Sequence, residues 1–288
     1  MKKLGKADMI KILKNYGITD YLSHEFVDAK NSLIYHLITE SGEYILKSPK
    51  NHKIRPKEIE YEYEIVNYLS KKSVNVQRVM KTLDNKLIVK YEGLDYALLT
   101  YIKGEELEND YVKESYLDTA KNIGLMHKAL LELKIRNIGY SHASVSEFKK
   151  EGVLPFFSDS DKIEYKNLLK ELKSINYKKL RKCVIHSDLT EINAMQFNNK
   201  FSGFIDFATA YKDYLVIDLA YYIANCIIKP EWIKDFFSQY NNYVKLNKDE
   251  KEALYYLIKM KLMQKKHLIK EYNNFSTLSK KEFIKLIS

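Results

Sequence analysis

The feature of this sequence that restricts the fold most is a pair of short apolar runs, each followed directly by acidic or amide residues. The first run ends at Ile185 and leads into the pattern H-x-D-x-x-x-x-N, whose acid is Asp188 and whose amide is Asn193. The second run ends at Ile205 and is followed by Asp206. Because brief apolar segments bounded by polar residues are typical of strand ends, we expect both runs to deliver their polar side chains to one edge of a sheet.

The order of acid, amide and acid is the order that phosphoryl transfer requires. We predict that Asp188 orients an attacking hydroxyl and accepts its proton, whereas Asn193 and Asp206 hold Mg²⁺ against the phosphates of a nucleotide. Mg²⁺ favours hard oxygen ligands and takes few of them from protein, so one carboxylate and one amide are sufficient. A lone H-x-D pattern would indicate only a polar surface loop, but the full spacing after two strands is far more specific.

These motifs resemble those of the aminoglycoside phosphotransferase and choline kinase superfamily, the small-molecule branch of the protein-kinase-like fold. The resemblance is carried by residues 185–193, 205–207 and 218–220. Two departures stand out, because Ser187 occupies a position where most members have Gly, and Ala208 one where protein kinases have Gly. No Ala-Pro-Glu sequence and no activation segment precede the third stretch, which favours the small-molecule branch over a protein kinase.

The resemblance implies an α+β, protein-kinase-like, two-lobed fold. Residues 1–102 would form a β-rich, nucleotide-binding N-lobe, and residues 103–288 a mostly helical C-lobe for catalysis and substrate binding. The implied reaction is in-line transfer of the γ-phosphate of ATP to a hydroxyl of a small molecule, with Mg²⁺. The resemblance also implies that Asp218 caps or braces the catalytic loop. Asp213 is either an acceptor-site acid or a turn residue, and we favour the turn.

Lys47 ends a predicted apolar strand and resembles the lysine that orients phosphates in kinase-like folds. Pro49 should break the strand before the lysines that follow. A lysine in this position is costly unless paired. Glu62 falls on the packed face of the helix predicted over 56–71, so we predict a Lys47–Glu62 ion pair, with Glu58 as the second candidate partner. A solvated strand-end lysine is the alternative.

Two further segments are assigned to nucleotide binding by the resemblance. The loop before the first hairpin contains no glycine, but Asn31 and Ser32 offer donors to a phosphate; an ordinary polar loop is an equally good interpretation. Backbone groups at Thr100, Tyr101 and Ile102 would meet the adenine at the hinge, a placement by analogy that has no residue signature of its own.

The period of the apolar residues and the residues that begin or end helices predict the remaining elements. His127, on the apolar side of one helix, is expected to be a hydrogen-bonded core residue, and Asn247 with Glu250 three residues later predicts a helix cap. The predicted helices cover 7–15, 56–71, 109–133, 161–173, 230–245 and 248–272, and the predicted strands cover 32–39, 44–47, 76–82, 87–91 and 96–102.

Bulk properties exclude several other classes of protein. The chain has 288 residues, two cysteines and a formal net charge of +10. Its apolar runs fall far short of the roughly 18 residues that span a membrane, and its first residues lack the apolar core of a signal peptide. We therefore expect a cytoplasmic protein without a membrane partner. Because the lysines are spread widely among glutamates, nucleic-acid binding is only a third-ranked interpretation.

The acceptor is the least constrained part of the prediction. A polycationic aminoglycoside would need an acidic pocket, yet the region after residue 227 is rich in lysine and aromatic residues. Its acids include Glu231, Asp235, Asp249, Glu250, Glu252 and Glu271. Residues 243–250 resemble homoserine-kinase-like members, so we favour a small amino-alcohol or sugar metabolite, homoserine- or choline-like, over an antibiotic.

A non-catalytic, kinase-shaped binding or coat protein is the alternative from another class. The glycine-free loop and Ser187 favour it slightly. The presence of Asp188, Asn193 and Asp206 counts against it, since a chain without catalysis has no chemical need for all three.

Overall fold

The computed structural model describes residues 3–29, 31–50, 54–106, 112–136, 157–226, 229–265 and 278–288. The chain divides into two compact units, Met1–Ile102 and Lys103–Ser288. In the described residues, the N-terminal unit contains one five-stranded sheet, and the C-terminal unit is mostly helical with two sheets of two strands each. Within the same residues, none of the helices combines the length and the hydropathy needed to span a bilayer.

The N-terminal unit is built on an antiparallel sheet with the strand order β1-β2-β3-β5-β4. Its elements are α1 (Lys6–Lys14), β1 (Tyr21–Asp28), β2 (Ser32–Thr39), β3 (Gly42–Pro49), α2 (Pro56–Lys71), β4 (Val89–Tyr91) and β5 (Leu94–Thr100). Strand β1 was not predicted. The strand predicted over 76–82 is wrong, because this segment makes only isolated bridges, one of them from Val79 to Leu99 on an edge of β5 that it shares with β4.

Alternate side chains of β2 lie on opposite faces of the sheet, as the period of a strand requires. Leu33, Tyr35 and Leu37 are buried in a core that also contains residues of α1. The intervening residues therefore lie on the other face, where Ile34 is paired in register with Lys47 of β3. This register fixes the face of the sheet on which the predicted phosphate-orienting lysine lies.

Helix α2 has the bounds that the sequence predicts. Pro56 occupies the first turn, where the missing N–H costs nothing and the fixed φ favours the helix. The buried side includes Ile65, Leu69 and Glu62, which has 8% of its surface exposed. The predicted packed face of this helix is therefore confirmed.

The C-terminal unit contains one apolar helix, α5, nine of whose ten residues are buried. Its elements are α3 (Lys113–Glu132), α4 (Asp159–Ser174), β6 (Lys182–Ile185), β7 (Ala194–Phe197), β8 (Lys200–Phe204), β9 (Tyr211–Tyr214), α5 (Val216–Asn225), α6 (Ile233–Tyr240), α7 (Lys248–Lys265) and α8 (Lys280–Leu286). Helix α5 packs against α7, and α3 packs against α6. Residues 109–111 and 266–272 of the predicted helices lie outside the described residues.

A half-buried ion pair joins Arg181, just before β6, to the first turn of α7. The fully buried carboxylate of Glu250 accepts from Nε and Nη2 of Arg181 at 2.8 and 2.6 Å, and this bonding raises the pKa of Arg181. Asn247 caps the helix, since its Oδ1 accepts from the backbone N–H of Glu250 at 2.9 Å, and Glu250 returns a bond to the Asn247 N–H. The predicted cap is therefore confirmed.

The two apolar runs that define the sequence motif do end strands, but they do not share a sheet. Ile185 ends β6, which pairs with β9, whereas Phe204 ends β8, which pairs with β7. The prediction that one sheet edge presents all the polar residues is wrong. The reason is that the chain between the two motifs forms a hairpin, in which the backbone of β8 pairs with β7 and not with β6.

A close backbone approach fixes the chain where the C-terminal unit begins. Glu105 and Gln196 exchange two backbone hydrogen bonds of 2.8 and 2.9 Å. Gly104 has a φ of +145°, and a Cβ added there would lie 2.3 Å from the backbone oxygen of Gln196. Only glycine fits such a position without movement of the backbone.

We expect Gly104→Ala to lower the melting temperature well beyond the effect of Gly93→Ala. Both residues have positive φ, but a Cβ at Gly93, at +81°, has nothing within 4 Å. Backbone strain alone costs about 1–2 kcal/mol, and the clash at Gly104 should add about 1–3 kcal/mol. Differential scanning calorimetry of both variants measures the difference. Equal losses would contradict a role for the close approach.

Candidate active site

The loop that carries the predicted catalytic acid is held by one fully buried carboxylate. Asp218, in the first turn of α5, accepts from the backbone N–H groups of His186 and Ser187 at 2.7 and 2.8 Å. Charge-assisted bonds of this kind are stronger than neutral ones, and here they fix the two residues that precede Asp188. The prediction that Asp218 braces the catalytic loop is confirmed.

His127 supports that carboxylate from α3. Its Nε2 lies 3.4 Å from Oδ2 of Asp218, and its Nδ1 lies 3.0 Å from the hydroxyl of Tyr240. All of these groups are buried. The prediction of a hydrogen-bonded core histidine is therefore confirmed.

The histidine of the sequence motif links the two halves of the site. Nε2 of His186 donates to the carbonyl oxygen of Ile205 at 2.9 Å, and its ring lies 4.4 Å from that of Phe207. In the sequence, His186 is recognisable only as the first residue of the H-x-D-x-x-x-x-N pattern. Its linking role depends on the return of the chain to Ile205, which spacing alone does not show.

The predicted metal-binding amide is held against the predicted catalytic acid. Nδ2 of Asn193 donates to the backbone oxygen of Asp188 at 2.7 Å and to Oδ2 of Asp188 at 3.0 Å. The nitrogen of the amide is therefore committed to the loop, which leaves Oδ1 as the oxygen that Asn193 offers to a cation. Asn193 is buried, whereas Asp188 is partly exposed.

The hairpin β7–β8 connects this amide to the second predicted metal ligand. Ala194 and Phe204 are paired at its open end, and the N–H of Ile205 donates to the carbonyl of Asn193 at 3.0 Å. Asp206 follows directly. The spacing in the sequence thus corresponds to one hairpin that leaves Asn193 and returns beside it.

The backbone is strained at two residues of the site. Ser187 has a φ of +70° and Asp206 a φ of +59°, both in the left-handed region. Glycine would adopt this conformation without the Cβ penalty, which explains the preference for glycine in most of the resembling family at the position of Ser187. The Ser187 hydroxyl donates to the carbonyl of Thr209 at 2.6 Å, a bond that glycine could not make.

The assignment of Asp213 to a turn is wrong. Asp213 lies within β9, is paired with Cys183 of β6 and is 8% exposed. Its Oδ2 accepts from the hydroxyl of Tyr211 at 3.1 Å. The pairing of β9 with β6, a contact distant in sequence, makes this segment a strand.

The residues predicted to bind phosphate in the N-terminal unit lie on β3 and α2. Lys47 is partly buried and is paired in register with Ile34 and Ala97. Glu62 is buried on α2, and both it and Lys47 make polar or electrostatic interactions. Their mutual ion pair stays a prediction. The alternative partner, Glu58, binds the guanidinium of Arg55 at 2.8 Å.

Asn31 and Ser32 lie at the open end of the β2–β3 hairpin. The carbonyl oxygen of Asn31 accepts from the N–H of Lys50 at 3.0 Å, and Ser32 is paired with Pro49. This pairing orders the backbone of the glycine-free loop on its β2 side. The role of the two residues in phosphate binding stays a prediction.

The predicted hinge residues differ in the availability of their backbone groups. The N–H of Thr100 donates to Arg78 at 2.9 Å, and that of Tyr101 donates to Glu43 at 3.3 Å. Among the described residues, no backbone hydrogen bond occupies Ile102. The assignment of these three residues to adenine binding stays a prediction.

The cysteines have no role in this chemistry. Cys183 and Cys226 are free and buried, and burial raises the pKa of both thiols. A thiolate, the reactive form, is thus disfavoured at either position. In the part of the chain that the structure describes, no cluster of three or more His, Cys, Asp or Glu residues is arranged to hold a metal.

Comparison with known proteins identifies the family. A sequence model described as a phosphotransferase enzyme family matches residues 27–252, which include all of the residues from Ile185 to Asp206. The chain belongs to this family. A homoserine kinase from Methylobacillus flagellatus is 22% identical over 251 residues, which cover 84% of this chain and 77% of that protein. A second, from Neisseria meningitidis serogroup B, is 24% identical over 216 residues, with coverage of 74% and 69%.

Solved structures of phosphotransferases share the fold. Amicoumacin kinase hAmiN, in complex with AMP-PNP, Ca²⁺ and Ami, matches with a TM-score of 0.69 and 17% identity, covering 98% of this chain and 92% of that one. The microcompartment-associated aminopropanol kinase gives 0.67 and 16%, with coverage of 98% and 93%. The fold is the α+β, protein-kinase-like fold of this family, and the protein is a small-molecule kinase.

We expect Asp218→Asn to lower the free energy of unfolding of this phosphotransferase by about 1–3 kcal/mol, because an amide turns one donor toward the loop N–H groups that Asp218 now satisfies. Urea denaturation measures the loss, and hydrogen exchange at His186 and Ser187 should accelerate. Asp249→Asn is the matched control, since its contact with Lys179 is 3.6 Å long and largely exposed. Exchange rates unchanged from the wild type would contradict the brace.

We expect Ser187→Ala to be less stable than Ser187→Gly by about 1 kcal/mol, because both lose the bond to Thr209 but only alanine keeps the left-handed strain. Thermal melts of the two variants and the wild type make the comparison. An alanine variant as stable as the glycine variant would show that φ at this position does not limit stability.

Proposed function

We propose that this phosphotransferase transfers the γ-phosphate of ATP to the hydroxyl of a small metabolite, with Mg²⁺. The observation that carries the proposal is the pair of hydrogen bonds that Nδ2 of Asn193 donates to the backbone oxygen and to Oδ2 of Asp188, at 2.7 and 3.0 Å. It sets the catalytic acid and the amide in one rigid loop. That loop continues through the β7–β8 hairpin to Asp206.

Asp188 acts as the base. The acceptor oxygen forms a bond to the γ-phosphorus while the bond from that phosphorus to the bridging oxygen of ATP breaks. The departing ADP keeps the electron pair of the broken bond, and the hydroxyl proton passes to the carboxylate of Asp188. Partial exposure of Asp188 leaves it accessible to a substrate hydroxyl.

A bound Mg²⁺ offsets negative charge on the transferring phosphoryl group. Oδ1 of Asn193 and the carboxylate of Asp206 would hold it. These residues fit the ion, because both supply hard oxygens and Mg²⁺ takes few ligands from protein.

For the N-terminal unit we propose nucleotide binding. Lys47, paired with Glu62, would orient phosphates, and its place on a face shared with Ile34 and Ala97 supports a ligand on that face. Ile102 would meet the adenine edge with its unoccupied backbone groups. The C-terminal unit would carry catalysis and the acceptor.

For the acceptor we propose a small amino-alcohol or hydroxylated amino acid, homoserine-like, rather than an aminoglycoside. The similarity to proteins named homoserine kinases supports this choice. Three of the acids that a polycation would need already form ion pairs, which also supports this choice. Glu250 is bound by Arg181, Asp235 by Lys113 and Asp249 by Lys179. Glu271 lies outside the described residues.

Two free, buried cysteines support a cytoplasmic location.

The first test is the melting temperature with Mg²⁺-ATP for the wild type, Asp206→Ala and Asp188→Asn. Ligand at about 100 times its Kd stabilises by roughly 2.7 kcal/mol, which corresponds to a rise of about 5 °C or more. We expect this rise in the wild type and in Asp188→Asn, and its loss in Asp206→Ala or with chelator.

Turnover is then read as ADP release with a panel of acceptors. Asp188→Asn should lose about 10²–10⁴-fold in kcat while it keeps the Mg²⁺-ATP shift. Absence of any shift at millimolar Mg²⁺-ATP or Mg²⁺-GTP would overturn the proposal in favour of the non-catalytic alternative.

A further inference from the structure

The chain around the predicted metal ligand Asp206 is bonded on both sides to the loop that carries the predicted base. Before Asp206, the carbonyl oxygen of Ile205 accepts from Nε2 of His186 at 2.9 Å. After it, the carbonyl oxygen of Thr209 accepts from the hydroxyl of Ser187 at 2.6 Å. Two neighbouring residues of one loop therefore hold the other segment on either side of Asp206.

The second of these contacts is made by side chains as well as backbone. The hydroxyl oxygens of Ser187 and Thr209 lie 3.1 Å apart, and Oγ1 of Thr209 donates to the carbonyl of His186 at 3.5 Å. We call the contacts between Ser187 and Thr209 the clasp. Ser187 has no exposed surface, and its N–H is fixed by Asp218 at 2.8 Å. The clasp is therefore anchored on a part of the loop that is itself held.

The clasp acts on a strained stretch of backbone. Asp206 has a φ of +59°, and a residue other than glycine keeps such a conformation only where its surroundings hold it. The residues that follow, Phe207–Thr209, form a single short 3₁₀ turn, which the N–H of Ala210 closes on the carbonyl of Phe207 at 3.0 Å. The clasp fixes the last residue of this turn, so it restrains the chain on the C-terminal side of Asp206.

We propose that Ser187 is a positioning residue for phosphoryl transfer, whose hydroxyl fixes the carboxylate of Asp206 relative to Asp188. Because Ser187 directly precedes Asp188, one side chain connects the predicted base to the segment of the predicted metal ligand. Transfer between two held groups is sensitive to small displacements of either. Glycine, which most of the resembling family has at this position, cannot form the clasp. The inference rests on the proposed function, since it requires that Asp206 bind the metal.

Two variants of Ser187 separate positioning from stability. Ser187→Gly and Ser187→Ala both lose the hydroxyl, but only the alanine variant keeps the left-handed strain and should be the less stable of the two. A positioning role predicts that both nevertheless change equally in metal dependence. At saturating ATP, the Mg²⁺ concentration that gives half of the rise in melting temperature should increase about threefold to tenfold in each.

A second measurement needs neither metal nor nucleotide. In the metal-free protein, hydrogen exchange at the amide of Ala210 reports how firmly the turn after Asp206 is closed. This exchange should be faster in both variants of Ser187 than in the wild type. Thr209→Ser, which keeps the hydroxyl and the carbonyl, should retain the wild-type exchange rate and metal dependence.

Ser115→Ala is the matched control. Its hydroxyl also donates to a carbonyl distant in sequence, that of Asn199 at 3.0 Å, but this contact is at the turn of the β7–β8 hairpin. The bond is at the opposite end of the hairpin from Asn193 and Ile205. The variant should have a lower melting temperature without ligand, with no change in Mg²⁺ dependence or in exchange at Ala210.

The outcomes that overturn the inference differ from those that overturn the proposed function. A glycine variant with the wild-type Mg²⁺ dependence would refute the positioning role. A change confined to the alanine variant would refute it too, because that change would follow the backbone strain and not the lost hydroxyl. A wild type without any Mg²⁺-ATP shift fails the proposed function instead, and exchange at Ala210 then still shows whether the clasp holds the turn.

Discussion

The structure of the site depends on the two backbone bonds that the catalytic loop makes to Asp218. A carboxylate with no exposed surface is costly, and it persists here because it is bonded to His186, Ser187 and His127 together. The same loop contains a left-handed residue, which would relax without such a restraint. The buried charge of Asp218 therefore holds the strained backbone at Ser187 in place, and Asp188 follows directly.

The local geometry of the candidate site was predictable from the sequence because its residues are close together along the chain. The hairpin between Asn193 and Asp206 needs only local pairing, and helix α2 is specified by Pro56 and its apolar period. The cap formed by Asn247 and Glu250 is equally local. In each case, the physical cause lies within a few residues of its effect.

The predictions that failed depend on contacts between distant parts of the chain. Asp213 became a strand residue only through pairing with Cys183, and β6 and β8 entered different sheets for the same kind of reason. Strand β1 was missed because, as an edge strand, it exposes the apolar residues Leu22 and Val27. No pattern within a single segment contains that information.

The ion pair of Arg181 and Glu250 has a geometric consequence for the candidate site. It joins the residue before β6 to the first turn of α7. Strand β6 leads to the loop that carries Asp188, and α7 is roughly 27 Å long and ends at Lys265. Helix α7 packs against α5, and the first turn of α5 carries the Asp218 carboxylate that binds the same loop. The loop that carries Asp188 is therefore held from both ends of its connection to α7, directly through Arg181 and indirectly through α5.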